Sequence, residues 1–297
     1  SYLAVGCGVG HYSANDTPKT LLSKADHTVV RAKESGNFVT MIDDIKDDTL
    51  VLGHEEWRNE LHLSMAESRM ILAFQSVVHV QNEGMEPLHE EILLRMLDRK
   101  GIAHSAGCFI PVATRLGLAE MLDRYTIDKV LGYFKEKHAP VGVAINLSCD
   151  FVKQHENREW LRRELEAFRR QSAMPLWFEV SNTVALNEPE AAQLLAMMLK
   201  GLGYRFGIDH FVLPESGGEY LQKIRPDYIK SNGTYLLDML YDSETGRSRE
   251  SFTNLTKSMG IKIIAINIEE AKQMNDLKEV GILRFQGTYI APVALLQ

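Results

Sequence analysis

The run "EPEAAQLLAMMLKGLGYRFGID", residues 188–209, joins the two hydrophobic periods whose alternation decides the fold. Its first part sets Ala191, Leu194, Leu195, Met198 and Leu202 at helical spacing, with Pro189 suited to a first turn and Asn187 and Glu190 spaced as a capping box. The methionines on this stretch read as core filler. "YRFGID" then reads as a short buried strand that delivers an acid, Asp209, to its tip. The following "HFVLPESGGEY" breaks into a Pro/Gly loop.

The same alternation runs outward in both directions from residue 71 to the end. Candidate strands are "ILAFQSVVHV", "EEILLRML", "VGVAINLS", "LWFEVS", "YRFGID", "DYIKSN", "IKIIAINI" and "ILRFQGTYI", separated mainly by amphipathic helices. An α/β chain of this kind predicts a (β/α)8-like, TIM-type barrel, whose active sites lie at the carboxyl ends of the strands. Residues 1–46 offer a strand, "YLAVGCGVG", and a helix with Leu21, Leu22, Ala25, Val29 and Ala32 at helical spacing, too little to make a core. They read as the end of a truncated domain. Residues 47–70, containing "HEEWRNELHLSMAESRM", read as a linker helix. The 297 residues suffice for one large domain and a fragment of another.

Composition narrows the partners. Hydrophobic residues at 45%, charged residues at 25% and a net charge of -7 provide no general basic field for duplex DNA or an anionic membrane. DNA is therefore not an expected partner. Cys7, Cys108 and Cys149 lack C-x-x-C spacing, so neither a zinc site nor a disulfide framework is indicated and a reducing cytoplasm fits. The chain contains no apolar run of about 20 residues, and "SYLAVGCGVG" lacks the basic flank of a signal peptide. The expectation is a cytoplasmic chain, with the option that it was cut from a membrane protein.

Several strands finish on a polar residue: Asn146 in "VAINLS", Glu179 in "WFEVS", Asp209, Lys230 in "DYIKSN" and Gln286 in "LRFQG", with Glu91 opening "EILLR". Taken singly, each marks where a strand emerges into water. In a barrel they converge on one mouth. Carboxylate and amide oxygens are the hard ligands that Mg2+ or Mn2+ prefers, and a lysine beside them can orient a water for phosphoryl chemistry.

In order and spacing, "EILLR", "FIPVATRLGLAEMLDR", "AINLS", "FEVSN", "GIDHF", "YIKSN", "AINIEE" and "FQG" resemble the EAL domain, the barrel that hydrolyses cyclic di-GMP, over residues 71–297. The family pattern runs E-x-L-x-R, N-L-S, E-x-T-E, D-D-F-G-T-G, K-I-D, A-E-G-V-E and Q-G. Residues 1–46, through "ADHTVVRAKESGN", resemble the tail of a degenerate GGDEF domain. The resemblance implies that Glu91, Asn146, Glu179 and Asp209 are metal ligands, that Lys230 lies near the attacking water, and that Arg95 and Gln286 belong to the dinucleotide site. Against the pattern, His210 stands for the second Asp of D-D, Ile266 for the metal-binding Glu of A-E-G-V-E, and Asn182 for the second Glu of E-x-T-E. "FVLPESGG" replaces F-G-T-G, while Glu269 remains as the last acid of "AINIE".

Loss of these acids strips a two-metal site that must hold ions about 4 Å apart. The expectation is a catalytically lapsed receptor that binds cyclic di-GMP, needs no cofactor, and uses Mg or Mn only for residual activity. The alternative is an active phosphodiesterase with a rearranged metal site, in which His210 still serves as a ligand. A third reading, a protein-only scaffold, is opposed by the retained Arg95, Asn146, Glu179 and Gln286. Further expected ligand contacts are Gln75, Leu93, Pro111, Asp123 and Glu269, beside Glu91, Asn146, Glu179 and Asp209. Arg95 alternatively pairs with Asp98 or Glu91, and Asp123 is alternatively a helix-surface acid. The GGDEF remnant before a lapsed EAL domain is similar to LapD-like receptors first and FimX-like receptors second. A LapD-like receptor implies biofilm and adhesion signalling, a cytoplasmic half of an inner-membrane protein, and a protein partner reached through upstream membrane or periplasmic domains. A homodimer is a further expectation. In that setting, Asn182 and the altered loop are expected to leave the segment after Asp209 unable to close on metal and ligand.

Overall fold

The strands, in a computed structural model, are β1 (Gly6–Gly10), β2 (Val39–Asp43), β3 (Met70–Gln81), β4 (Gly84–Leu97), β5 (Ala103–Ser105), β6 (Gly142–Leu147), β7 (Leu176–Ser181), β8 (Arg205–Asp209), β9 (Tyr228–Asn232), β10 (Lys262–Ile266), β11 (Arg284–Phe285) and β12 (Ala294–Leu295). The structure describes residues 6–10, 39–43, 52–81, 84–136, 141–214, 217–241, 252 and 254–296. The helix expected near residues 17–37 lies outside them.

Eight strands close on themselves in the order β3, β11, β10, β9, β8, β7, β6, β4, with β4 pairing back onto β3. From β4 through β11 the neighbours run parallel. β3 runs antiparallel to β11, and the sequence pattern does not reveal that direction. Closure satisfies the edges that an open sheet would expose. β5 and β12 lie outside the ring, each antiparallel to one of its members.

Register stacks the interior in layers. Because side chains alternate with period two, the residue two places before each polar strand tip also faces inward. Ala144, Trp177 and Tyr228 thus lie below Asn146, Glu179 and Lys230, and with Val77, Ile264 and Ile266 they form an apolar cluster joined by the partly buried Leu88. Gly207, below Asp209, leaves room for this cluster. A Cβ there would come within 2.3 Å of the Tyr228 ring.

The helix Pro189–Gly201 forms with Pro189 in its first turn, as expected. Two details differ. Glu188 is the N-cap and no side chain caps the helix, so Asn187 and Glu190 make no capping box. Ala192, Leu195, Ala196 and Leu199 are buried, whereas Leu194 is 52% exposed. The helix is apolar on most sides, so spacing alone left its rotation open. Small Ala192 and Ala196 allow close packing on the buried side.

The chain divides into two compact units, residues 1–71 with 94–119 and residues 72–93 with 120–297. The first holds the parallel pair β1–β2. It also holds the helix His54–Ala66, which buries Trp57 and Leu61, and the helix Ala106–Arg115. Arg69 there donates to Glu60 at 2.7 Å and to the Leu97 carbonyl at 2.7 Å. Cys108 and Cys149 are in no disulfide. Among the described residues no helix is long and apolar enough to cross a membrane.

Candidate functional site

The carboxyl mouth of the second unit gathers side chains from β3, β4, β6, β7, β8, β9 and the end of β11. Lys230, fully buried, donates from Nζ to Glu91 Oε2 at 2.6 Å and to Glu179 Oε2 at 2.8 Å. Glu91 also accepts from Asn146 Nδ2 at 2.7 Å and from Gln286 Nε2 at 2.7 Å. Glu179 accepts from the Tyr228 hydroxyl at 2.7 Å. Gln286 reaches Gln75 Oε1 at 3.3 Å, and Gln75 in turn donates to the Ala291 carbonyl at 3.2 Å. Ligand oxygens of Glu91, Glu179 and Asp209 all lie within 4.8 Å of one another.

The two glutamates that share Lys230 diverge in acidity. Burial opposes charge on Glu91, yet Lys230 and the Gln286 and Asn146 amides hold its carboxyl down to about 2. Burial pushes Glu179 up to about 8, with Glu91 and Asp209 adding like-charge repulsion. Burial also opposes the Lys230 ammonium, but Glu179, Glu91 and Asp209 hold it above its ordinary value. Burial, then the adjacent Glu179, keeps Tyr228 well above the usual phenol range and so protonated.

His210 departs from this inward set. It is exposed, adopts φ +51°, and its Nε2 lies 3.4 Å from Asp209 Oδ2. Ile266 is 6% exposed within the apolar cluster. Asn182, in place of the motif's glutamate, still braces the segment after Asp209. Its amide donates to the Val212 carbonyl at 3.0 Å and accepts from the Tyr220 hydroxyl at 2.5 Å, while the Tyr235 hydroxyl accepts from Leu213 N at 3.0 Å. A shorter amide does the bracing because partners from both arms of the loop come to it.

The remaining expected residues make no hydrogen bond in this network among the described residues. Leu93 is half-buried on β4, and Glu269 is exposed beyond β10, its backbone N–H donating to Gln273. Asp123, half-buried, accepts from Ser148 N at 2.9 Å, and burial pushes its carboxyl up to about 7. It is therefore a helix acid tied to the β6 loop. Arg95 and Pro111 belong to the first unit. Arg95 is half-buried and donates to the Leu94 carbonyl at 3.0 Å; it makes no ion pair among the described residues. The expected partner Asp98 instead accepts from the Lys100 and Ile102 backbone N–H groups at 2.8 Å each.

Sequence reading missed Tyr228 and His89. His89 is fully buried, with no hydrogen-bond partner for either ring nitrogen among the described residues, its Nε2 3.9 Å from Glu179 Oε1 and its ring 4.0 Å from that of Trp177. The available signal was period two: Tyr228 precedes Lys230, and His89 precedes Glu91, by one inward step.

A sequence model described as EAL domain matches residues 58–293. Cyclic di-GMP phosphodiesterase PdeB of Shewanella oneidensis is 23% identical over 275 residues, covering 90% of this chain and 32% of that protein. The bifunctional diguanylate cyclase/cyclic di-GMP phosphodiesterase MucR of Pseudomonas aeruginosa is 23% identical over 297 residues, 96% of this chain and 42% of its own length. The chain thus spans less than half of these curated relatives. Among solved structures, the Vibrio cholerae LapD S helix-GGDEF-EAL structure bound to c-di-GMP superposes with TM-score 0.78 at 22% identity, over 95% of this chain and 68% of that one. The Pseudomonas aeruginosa FimX EAL domain bound to c-di-GMP gives 0.69 at 22% identity, over 80% and 96%.

Proposed function

Because this chain belongs to the EAL domain family, we propose that it is a cyclic di-GMP receptor that no longer hydrolyses its ligand and signals to a protein partner. One observation carries the loss of hydrolysis. Ile266, at the position of a metal-binding acid in the family motif, is buried in an apolar cluster and offers no lone pair.

The oxygen donors of Glu91, Glu179 and Asp209 suit one hard divalent cation. A second does not fit, since His210 is exposed and Ile266 is apolar. Such a single ion would supply charge neutralisation beside a phosphate. Without it, Lys230 neutralises the cluster from within. Among the carboxylates, Glu179 is the one that takes up a proton, which further lowers repulsion toward a dianionic ligand.

Arg95 is the phosphate contact in this reading, having donors in hand and no acid partner among the described residues. Gln75, Leu93, Pro111, Asp123, Glu269 and Gln286 complete the ligand-binding set, with Asn146 and the acids at its base. Residues 1–46 are read as the end of a GGDEF domain, 47–70 as the coupling segment and 71–297 as the ligand-binding domain, in a LapD-like, membrane-attached signalling protein. The parallel pair β1–β2 and the extent of the LapD superposition support that organisation. The retained cluster of Glu91, Glu179 and Asp209 and the phosphodiesterase names of relatives favour a second reading, a phosphodiesterase acting on one metal ion.

Calorimetric titration with cyclic di-GMP, paired with chromatography for linear product in Mg2+ and Mn2+, separates the two. Binding without turnover is expected, in EDTA as well as in metal. Product at ordinary EAL-enzyme rates returns the chain to the phosphodiesterases. Arg95→Ala should weaken binding by about 1.5 to 3 kcal/mol, roughly ten-fold or more in affinity, since a charged hydrogen bond is lost. Unchanged affinity would remove Arg95 from the site.

A further inference from the structure

The amino-terminal mouth of the barrel holds a charge arrangement that the proposed receptor function leaves unused. Arg205, Lys262 and Arg284 open β8, β10 and β11, and His79, near the carboxyl end of the antiparallel β3, stands at the same end of the barrel. Period two turns all four inward, because each lies two places from an interior residue: Val77, Gly207, Ile264 and Gln286, respectively. Register places Arg284 directly opposite His79. The guanidinium of Arg205 lies 4.8 Å over the Trp177 ring, which roofs it against the apolar cluster of Tyr228 and Ile264.

Among the described residues no acid forms a salt bridge with these side chains. Among the described residues, Arg205, Lys262 and Arg284 form neither a salt bridge nor a side-chain hydrogen bond, and His79 meets only Gln81. The chain carries more acids than bases and pairs cations freely elsewhere, as in Arg69 with Glu60 and Arg162 with Glu159 and Glu166. Arg284 is half-buried, and its affinity for a proton is lowered by burial and by Arg205. Burial, Arg284 and Lys262 likewise lower His79, against the opposing charge of Glu86. Like charges converging with only the opposing charge of Glu86 named against them are best satisfied by an anion from outside.

We propose that this mouth is a second ligand site, separate from the carboxyl mouth, which takes a small soluble anion bearing two or more phosphate groups. Guanidinium forks match phosphate oxygens in pairs, and three permanent cations plus His79 exceed what one carboxylate neutralises. Arg205 and Arg284 hold the phosphates from β8 and β11, while Lys262, which is exposed on β10 between them, adds a mobile point charge.

The test is a calorimetric titration of the 297-residue chain with inorganic pyrophosphate, with and without excess cyclic di-GMP. Binding is expected in both conditions. Arg284→Gln and Lys262→Gln should each weaken it, the first by about ten-fold. Lys262→Gln lies at the surface and leaves the apolar cluster intact, so it reports even where Arg284→Gln disturbs folding. Absence of binding, binding unchanged by Lys262→Gln, or displacement of pyrophosphate by cyclic di-GMP would each overturn the second site.

Discussion

Neighbouring strands β9 and β10 meet the same interior with opposite chemistry. β9 turns Tyr228, Lys230 and Asn232 inward, whereas β10 places Ile264 beside Lys230 and Ile266 beside Asn232. On one arc of the mouth Glu91 and Glu179 share one ammonium; on the next there is nothing to share it. Lys230 can serve two carboxylates because Gln286 and Asn146 share the load on Glu91 and Tyr228 shares it on Glu179. On the polar arc both glutamates are bonded to Lys230 and to neutral donors, and the apolar arc has no donor to attract a second cation.

The largest effect should come from breaking the polar arc. Lys230→Met removes the cation between two buried acids and should cost about 3–5 kcal/mol of unfolding free energy, because one partner of a buried pair is left uncompensated. Ile264→Val, at the paired position on β10, should cost only about 0.5–1.5 kcal/mol. Denaturant melts in EDTA compare the two. Equal costs would mean that the network contributes no more than packing.

Ile266→Glu sharpens the contrast from the other side. In EDTA, a carboxylate placed in the apolar cluster should destabilise the fold by about 1–3 kcal/mol even if it takes a proton, since it leaves a polar group poorly paired. Combined with His210→Asp, it restores oxygen donors on the empty arc, and Mn2+ should then raise the melting temperature more than it does in the parent chain. A metal response no larger than the parent's would show that donors alone do not make the second position.

The pattern of the barrel was legible because its signals are local. Each strand is a short apolar run, and its polar tip, from Asn146 to Gln286, breaks that run where the mouth begins. What lay beyond reach depended on partners. The direction of β3 is set by closure and the pairing of β12 by the edge that β3 offers it, not by any residue within them. The last expected strand, residues 282–290, shrinks to Arg284–Phe285 because the backbone turns at Gly287, where a Cβ would lie 2.1 Å from the Ile268 carbonyl oxygen. Rotation of the helix Pro189–Gly201 could not be read while both its faces were apolar. Motif position could not show how Asn182 braces the loop, since Tyr220 and Val212 come to it from elsewhere.

The smallest effect asks whether suppressed charge extends beyond the arc, at Asp123. Its Oδ2 accepts from the backbone of Ser148, whose own hydroxyl accepts from Phe151 N and caps the short helix Cys149–Lys153. Burial pushes this carboxyl from 3.8 to about 7, against the bonds from Ser148 and with help from Asp150 and Glu120. The folded chain then holds the proton to higher pH than the unfolded chain does. Stability from this group is fully present below the unfolded value of 3.8 and is lost as pH rises through about 7. Asp123→Asn retains an oxygen for the Ser148 N–H but has no proton to lose. Its melting temperature should therefore gain on the parent's as pH rises from about 4 to about 7.5, by an amount worth about 1 kcal/mol once solvent screening of a half-exposed carboxyl is allowed for. Parallel curves in EDTA would mean that Asp123 is ionised throughout. Its charge would then be available to a guanine N–H at every pH in the range, and suppression of charge would belong to the polar arc alone.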